Sequence, residues 1–166
     1  MRRGWMSYEY GILAQADDYL LTFQQAYLDD QTENLVQYIQ SLVASIRSED
    51  LMPIIRSHIS DIGDVVSNVV SATEGSFEEP SSYSATLKEQ TLPITKILTD
   101  CKTNLLKTSV ESQALDGLGR GREVKEFTAR LPPLAFEIAR EMKELVQRVE
   151  GLGDPRGLTD KGEDFS

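Results

Sequence analysis

The stretch VKEFTARLPPLAFEIAREMKELVQRV, residues 124–149, decides the fold of this chain. Its apolar residues recur every three or four positions, so they line one face of a helix. Pro132 and Pro133 fall inside this pattern, although a proline in a helix interior costs about 3 kcal/mol. Because the spacing stays in phase across them, we predict one bundle helix over about residues 121–150, with a kink or brief break near residues 129–131. After such a break both prolines lie in a first helical turn, where they are tolerated. The stripe consists of Val124, Phe127, Leu131, Ala135, Ile138, Met142, Leu145 and Val149.

Three further apolar stripes predict the other bundle helices. The first begins behind Asp30, which we expect to cap it, with Glu33 placed as in a capping box. The second spans about residues 50–73, with Pro53 in an early turn, and its apolar face is wide enough for neighbours on two sides. The third spans about residues 85–110.

Four amphipathic helices with connections of modest length predict an all-α fold, an antiparallel up-and-down four-helix bundle over residues 31–150. Residues 1–30 read as an aromatic, amphipathic helical segment that either packs against the bundle or extends its first helix. Residues 151–166 are dominated by glycine, proline and charged residues, so we expect a flexible C-terminal tail.

Composition excludes several classes of function. The formal net charge of −10 disfavours nucleic-acid binding, which needs clustered cations. No apolar run approaches the ~20 residues that span a bilayer, so we expect no membrane insertion. The start of the chain lacks the apolar core of a signal peptide. With one cysteine and one histidine, the chain can form neither an internal disulfide nor a zinc site of the His/Cys type.

No catalytic, cofactor-binding or metal-binding residues emerge from the sequence. Paired carboxylates such as Asp29–Asp30 fall at predicted loops and helix starts, where negative charge favours the helix dipole. Cys101 lies on an apolar stripe, where a cysteine behaves as a small inert hydrophobe. The glycine-rich residues 117–121 follow no strand and lack a phosphate-binding motif. We therefore expect a chain that is not an enzyme and uses no cofactor.

Residues 123–152, EVKEFTARLPPLAFEIAREMKELVQRVEGL, resemble the C-terminal domain of the fungal polarisome scaffold family. Residues 97–109 and 35–70 look like the same region. This domain is related to the C-terminal domain of animal Arf GTPase-activating proteins that interact with G-protein-coupled receptor kinases. The animal domain is in turn similar to the focal-adhesion-targeting domain, a four-helix bundle.

The resemblance implies a non-enzymatic scaffold or targeting domain. It implies that the domain binds partner proteins, through short amphipathic helices, to organise cell polarity, polarised growth and actin assembly. The partners it implies are polarity and cytoskeletal proteins: the formin pathway, other polarisome subunits and MAP kinase kinases. The location it implies is cytoplasmic, at the bud tip, hyphal tip or septum.

A partner groove needs apolar side chains beyond those that fill the core. On the last helix, Leu134, Ala139 and Val146 flank the main stripe, and Arg140 and Lys143 lie near them. These five residues are the predicted partner-binding residues, by the helix-in-groove mode of recognition. The alternative is that the apolar residues only widen the core face and the cations are solvated.

The N-terminal segment offers a second candidate surface. Asp18, Leu20 and Leu21 partly resemble a paxillin-type leucine–aspartate motif, and Phe23 and Tyr27 continue its apolar face. We expect this segment to pack on the bundle and cover a groove between helices. The alternative function is a self-associating structural module, in which this segment or the wide face of the second bundle helix makes a homodimer.

Overall fold

A computed structural model describes residues 2–78, 82–117 and 121–153, with side chains described for residues 23–78, 83–117 and 121–152. Over these ranges the chain is helical with short turns. The α-helices are α1 (Arg2–Arg47), α2 (Met52–Gly75), α3 (Ser82–Glu111), α4 (Arg122–Thr128) and α5 (Leu131–Gly153). Two 3₁₀ turns, Ser76–Glu78 and Ser112–Leu115, follow α2 and α3.

The four long helices form a ring. α1 packs against α2 and α5, and α3 also packs against α2 and α5. Since short connections join consecutive helices, neighbours run antiparallel. This confirms the predicted all-α, up-and-down four-helix bundle. In this ring the α2–α3 seam and the α1–α5 seam lie on opposite sides of the bundle.

The apolar stripes supply the core of the bundle. All eight stripe residues of α4 and α5 are buried, as the sequence predicted. Most of the wide apolar face of α2 is buried, because α2 lies between α1 and α3, although Val70 is half-buried and Ile54 is 46% exposed. Most of that face is therefore already used inside the bundle. Its buried members are Met52, Ile55, Ile59, Ile62, Val65, Val66 and Val69.

The double proline lies just after a real break. α4 ends at Thr128, the turn consists of Ala129 and Arg130, and α5 begins at Leu131. Both prolines thus lie in the first turn of α5, where the missing N–H groups would have had no helical partner. The Arg130 guanidinium lies 5.7 Å from the Phe127 ring centroid and 3.7 Å from the Glu111 carboxylate. The predicted break near residues 129–131 is confirmed.

α1 differs from the prediction. The cap expected at Asp30 is absent, because a single helix of 46 residues runs through this position. The Thr32 hydroxyl donates to the Leu28 carbonyl within the helix, at 2.7 Å. Leu28 and Leu35, two turns apart, are both buried, so core packing continues across the predicted boundary. The N-terminal segment therefore extends the first bundle helix.

The helix continues without a break through residues 30–31, where we predicted a boundary between two parts of the chain. The roles assigned to those parts stay a prediction. Residues 151–153 belong to α5, and the rest of the predicted tail, residues 154–166, lies outside the described residues. Within the described part of the chain, no helix has the length and apolar character needed to cross a membrane.

The turn from α1 to α2 is tightly closed. The Asp50 N–H donates to the Ser45 carbonyl at 3.0 Å, and the Ser45 hydroxyl donates to the Asp50 carboxylate at 2.6 Å. Glu49 has a φ of 55°, the left-handed conformation that glycine usually supplies at a helix end. Its carboxylate lies 3.3 Å from Lys125 Nζ, which attaches α4 to this end of the bundle.

Candidate partner-binding grooves

The face of α3 that meets α2 is identified by two contacts. Lys102 Nζ donates to the Ser67 hydroxyl at 2.9 Å. A Cβ placed on Gly63 would lie 3.3 Å from Leu106 Cδ2. Leu106 therefore lies directly over the backbone of α2, and a larger residue at position 63 would require Leu106 to shift by a few tenths of an ångström.

Apolar side chains remain exposed along this seam. Leu106 is 38% exposed although it contacts α2, and Val110, one turn further along α3, is 64% exposed. Residues four apart lie on the same side of a helix. Leu106 and Val110 thus form an apolar strip on α3 beside the seam between α2 and α3, and we call this surface the α2–α3 groove.

Two lysines of α3 flank this strip. α3 carries four lysines against three acidic residues, in a chain of net charge −10. Lys102 and Lys107 lie four and three residues before Leu106 and Val110, respectively. Among the residues with described side chains, no ion pair includes either lysine. The strip is therefore bordered by two cations that no described carboxylate neutralises.

Arg56 of α2 shows the contrast. Its guanidinium makes two bonds to the Asp116 carboxylate, at 2.8 and 2.9 Å, and a third to the Ser112 hydroxyl at 3.1 Å. This forked geometry fixes the end of α3 against α2. Arg56 is thus a structural cation held by a carboxylate, whereas, among the described side chains, Lys102 is held only by the Ser67 hydroxyl and Lys107 is exposed.

The predicted residues of α5 divide between two faces. Glu137 interacts with Cys101 of α3, and Arg148 donates to Gln90 of α3 at 3.2 Å, so these positions mark the side of α5 that faces α3. Ala139, Lys143 and Val146 share a different face of the helix, at intervals of four and three. Ala139 and Val146 are half-buried against the core, and Lys143 is exposed.

Leu134 and Arg140 do not join these three. Leu134 lies one turn before Glu137, towards α3, and is half-buried against the core. Arg140 is exposed and lies 3.8 Å from the Glu141 carboxylate. The five residues do not converge on one groove, and the binding role of each stays a prediction.

The predicted docking segment belongs to α1 itself. Phe23 is 61% exposed, whereas Tyr27 is half-buried against the core. Asp18, Leu20 and Leu21 lie in α1 at positions whose side chains are not described. Residues 23–28 are thus part of a bundle helix, and docking of the segment over a groove would require α1 to break.

Cys101 is buried between α3 and α5. Burial, and then the Glu137 carboxylate beside the thiol, raise its pKa to about 11. A thiol that keeps its proton is a poor nucleophile and a poor metal ligand. Among the described residues, no group of histidine, cysteine, aspartate and glutamate side chains is arranged to hold a metal ion.

Sequence reasoning missed Leu106, Val110 and their lysines. The signal was present, since Leu106 and Val110 are apolar, four residues apart and outside the stripe of α3. Their importance depends on which neighbour α3 faces, and that is decided by Gly63 and Ser67 on a different helix.

Comparison with known proteins agrees with the resemblance drawn from the sequence. The family described as the C terminus of G protein-coupled receptor kinase-interacting protein 1 matches residues 25–150. Protein SPA2 of Saccharomyces cerevisiae (strain ATCC 204508 / S288c) is 31% identical over 131 residues, which is 75% of this chain. The chain covers 9% of the length of that relative. No solved structure gives a significant match. The chain belongs to the family of the C-terminal domain of G protein-coupled receptor kinase-interacting protein 1.

Proposed function

We propose that this bundle is a non-enzymatic scaffold domain that binds short amphipathic helices of partner proteins. The observation that carries the proposal is the exposure of Leu106 and Val110 beside two lysines that form no ion pair among the side chains that the structure describes. An amphipathic helix lays its apolar face into such a groove and anchors it with residues spaced three or four apart.

The chemistry of the groove selects the partner. Leucines on the partner helix would bury the surface of Leu106 and Val110, at about 25 cal/mol per Å² of apolar surface removed from water. Aspartates or glutamates beside those leucines would meet Lys102 and Lys107. A leucine-rich, acidic helix is therefore the expected ligand.

The biological role follows from the resemblance to the polarisome scaffold family. We infer that the domain organises cell polarity, polarised growth and actin assembly at the bud tip, hyphal tip or septum. The partner classes are the formin pathway, other polarisome subunits and MAP kinase kinases. The protonated, buried thiol of Cys101 is consistent with a binding role and offers no nucleophile.

A capture experiment tests this function. The immobilised wild-type domain, incubated with a fungal extract, should retain polarity proteins. The Val110→Asp variant should not retain them. Ile97→Asp is the matched control, because Ile97 is 40% exposed on the same helix but lies four residues before Cys101, on the side towards α5. Equal capture by the wild type and Val110→Asp would exclude the α2–α3 groove, and loss with both variants would indicate a fold defect.

A further inference from the structure

A pocket opens at the end of the bundle where α1 turns into α2. Its volume is about 360 Å³, at the lower end of the range for ligand-binding pockets. The pocket lies between the α1–α2 turn and α4, and α2 contributes Ile55 to its wall. It is separate from the α2–α3 groove, since neither Leu106 nor Val110 lines it.

The wall of this pocket is largely apolar. Ile46 of α1, Ile55 of α2 and Val124 of α4 belong to the hydrophobic core or pack against it. Ala129, in the turn between α4 and α5, adds a small side chain at an exposed position. Because these side chains come from three helices and a turn, an apolar group that enters the pocket is shielded from water on several sides.

The charges that line the pocket sum to zero. They are two cations and two carboxylates, namely Arg47, Lys125, Glu49 and Asp50. Both carboxylates already have partners, because Glu49 lies 3.3 Å from Lys125 Nζ and Asp50 accepts from the Ser45 hydroxyl at 2.6 Å. A further carboxylate in the pocket would be repelled by these two acids, and a cation would be repelled by Arg47. The pocket therefore favours an uncharged occupant.

The cation at the rim selects an aromatic occupant over an aliphatic one. Arg47 is exposed and forms no ion pair among the side chains that the structure describes. A guanidinium is attracted to the face of an aromatic ring within about 6 Å. The chain already contains such a contact close by, where the Arg130 guanidinium lies 5.7 Å from the Phe127 ring centroid. An aliphatic group would fill the pocket without this attraction.

We propose that this pocket binds the uncharged aromatic side chain of a partner protein as a single anchor. Energetically dominant residues of interfaces are commonly aromatic side chains that fill an apolar pocket with polar residues around it. The pocket has this arrangement, with apolar walls and exposed charged residues at its rim. Since it lies apart from the α2–α3 groove, the proposal holds or fails independently of the proposed function.

A titration of the full chain with N-acetyl-tryptophan amide tests the proposal, because this uncharged compound presents the indole ring as a protein does. The methyl resonances of Ile46 and Ile55, followed by nuclear magnetic resonance, should shift with a dissociation constant of about 1 mM or lower. N-acetyl-leucine amide should bind about fivefold more weakly, because it has a smaller apolar surface and no aromatic face.

Two alanine variants test whether the binding occurs in the pocket. Ala129→Leu extends a side chain into it and should weaken binding of the tryptophan amide at least about tenfold. Ala44→Leu makes the same change at an exposed position of α1 that does not line the pocket, so it should bind as the wild type does. Thermal unfolding, followed by circular dichroism, checks that both variants are folded.

The proposal would be overturned if neither methyl resonance shifted at any soluble concentration of the tryptophan amide. Equal affinities for the two amides would also overturn it, and this comparison needs only the wild-type chain, so it decides even where a variant fails to fold. Undiminished binding by a folded Ala129→Leu variant would place the ligand elsewhere. Equal losses in both folded variants would show that the effect is not specific to the pocket, and would likewise overturn the proposal.

Discussion

Leu106 lies over Gly63: a Cβ on residue 63 would sit 3.3 Å from Leu106 Cδ2, closer than side chains normally pack. This contact sets the separation of α2 and α3 and the position of the exposed apolar strip. Gly63→Ala should therefore displace Leu106 and weaken partner capture.

The Gly63→Ala variant should lose partner binding without losing stability. Alanine favours a helix interior by about 1 kcal/mol over glycine, which offsets the close contact with a partly exposed side chain. We expect an unfolding free energy within about 1 kcal/mol of wild type, measured by urea denaturation. A large loss of stability would mean that the contact belongs to the rigid core.

Two prolines in different positions should respond differently to substitution. Pro93 lies inside α3 and is exposed, so Pro93→Ala should stabilise the bundle by about 1–3 kcal/mol. Pro133 lies in the first turn of α5, so Pro133→Ala should change stability by less than about 1 kcal/mol. Denaturant unfolding of both variants provides the comparison, and a large loss with Pro133→Ala would show that the break depends on that proline.

Replacement of Glu49 by glycine should not lower the stability of the bundle. Its φ of 55° costs a residue with a side chain about 1 kcal/mol, whereas the exposed ion pair with Lys125 contributes at most about 1 kcal/mol. Glu49→Gly should leave the melting temperature unchanged or raise it. Lys125→Met removes only the ion pair and serves as the control. If Glu49→Gly were much less stable than Lys125→Met, the strain argument would be wrong.

Alkaline pH should weaken the bundle through Cys101. Its pKa is raised from 9.0 to about 11 in the fold, so the folded state holds the thiol proton more strongly than the unfolded chain. The resulting contribution to the free energy of unfolding is complete below pH 9 and is lost as pH rises towards 11. Burial also raises the pKa of Tyr83, to about 12, so Tyr83 adds a loss of stability at higher pH. Cys101→Val should flatten the pH dependence of the unfolding free energy between pH 9 and 11, and an unchanged slope would contradict this assignment.

Partner capture should depend on the cations beside the α2–α3 groove and not on cations elsewhere on the bundle. Lys107→Glu should weaken partner capture, and the remaining binding should be less sensitive to salt, because one screened attraction has been removed. Lys143→Glu, on the face of α5 away from α3, makes the same charge change and should retain capture. A reversed pattern would move the binding site to α5, where the sequence first placed it.

The periodicity of residues 124–149 was sufficient to predict α4, α5 and the break between them, because packing and proline chemistry agree there. The boundary at Asp30 failed for a physical reason. Its polar neighbours have the composition of a helix cap, but Leu28 and Leu35 are both buried and keep the helix continuous. Core packing outweighs a local capping signal when the spacing of the buried apolar residues continues through the cap position.

The groove was less predictable than the fold. Leu105 and Leu106 are identical in type and adjacent in sequence, yet one is buried and the other forms part of the exposed strip. Their different exposure follows from the turn of the helix between adjacent positions. What depends on Gly63, on another helix and far away in the sequence, is that Leu106 contacts α2. Spacing along one helix identifies its core face but cannot assign the remaining apolar residues to a neighbour.

The most direct test is photo-crosslinking from the groove. A benzophenone side chain at position 110 should crosslink, in a fungal extract, to a leucine-rich, acidic helical segment of a polarity protein. The same group at position 97 should not. Absence of a crosslink at position 110, or equal crosslinking of one partner at both positions, would contradict the claim that the α2–α3 groove binds partner helices.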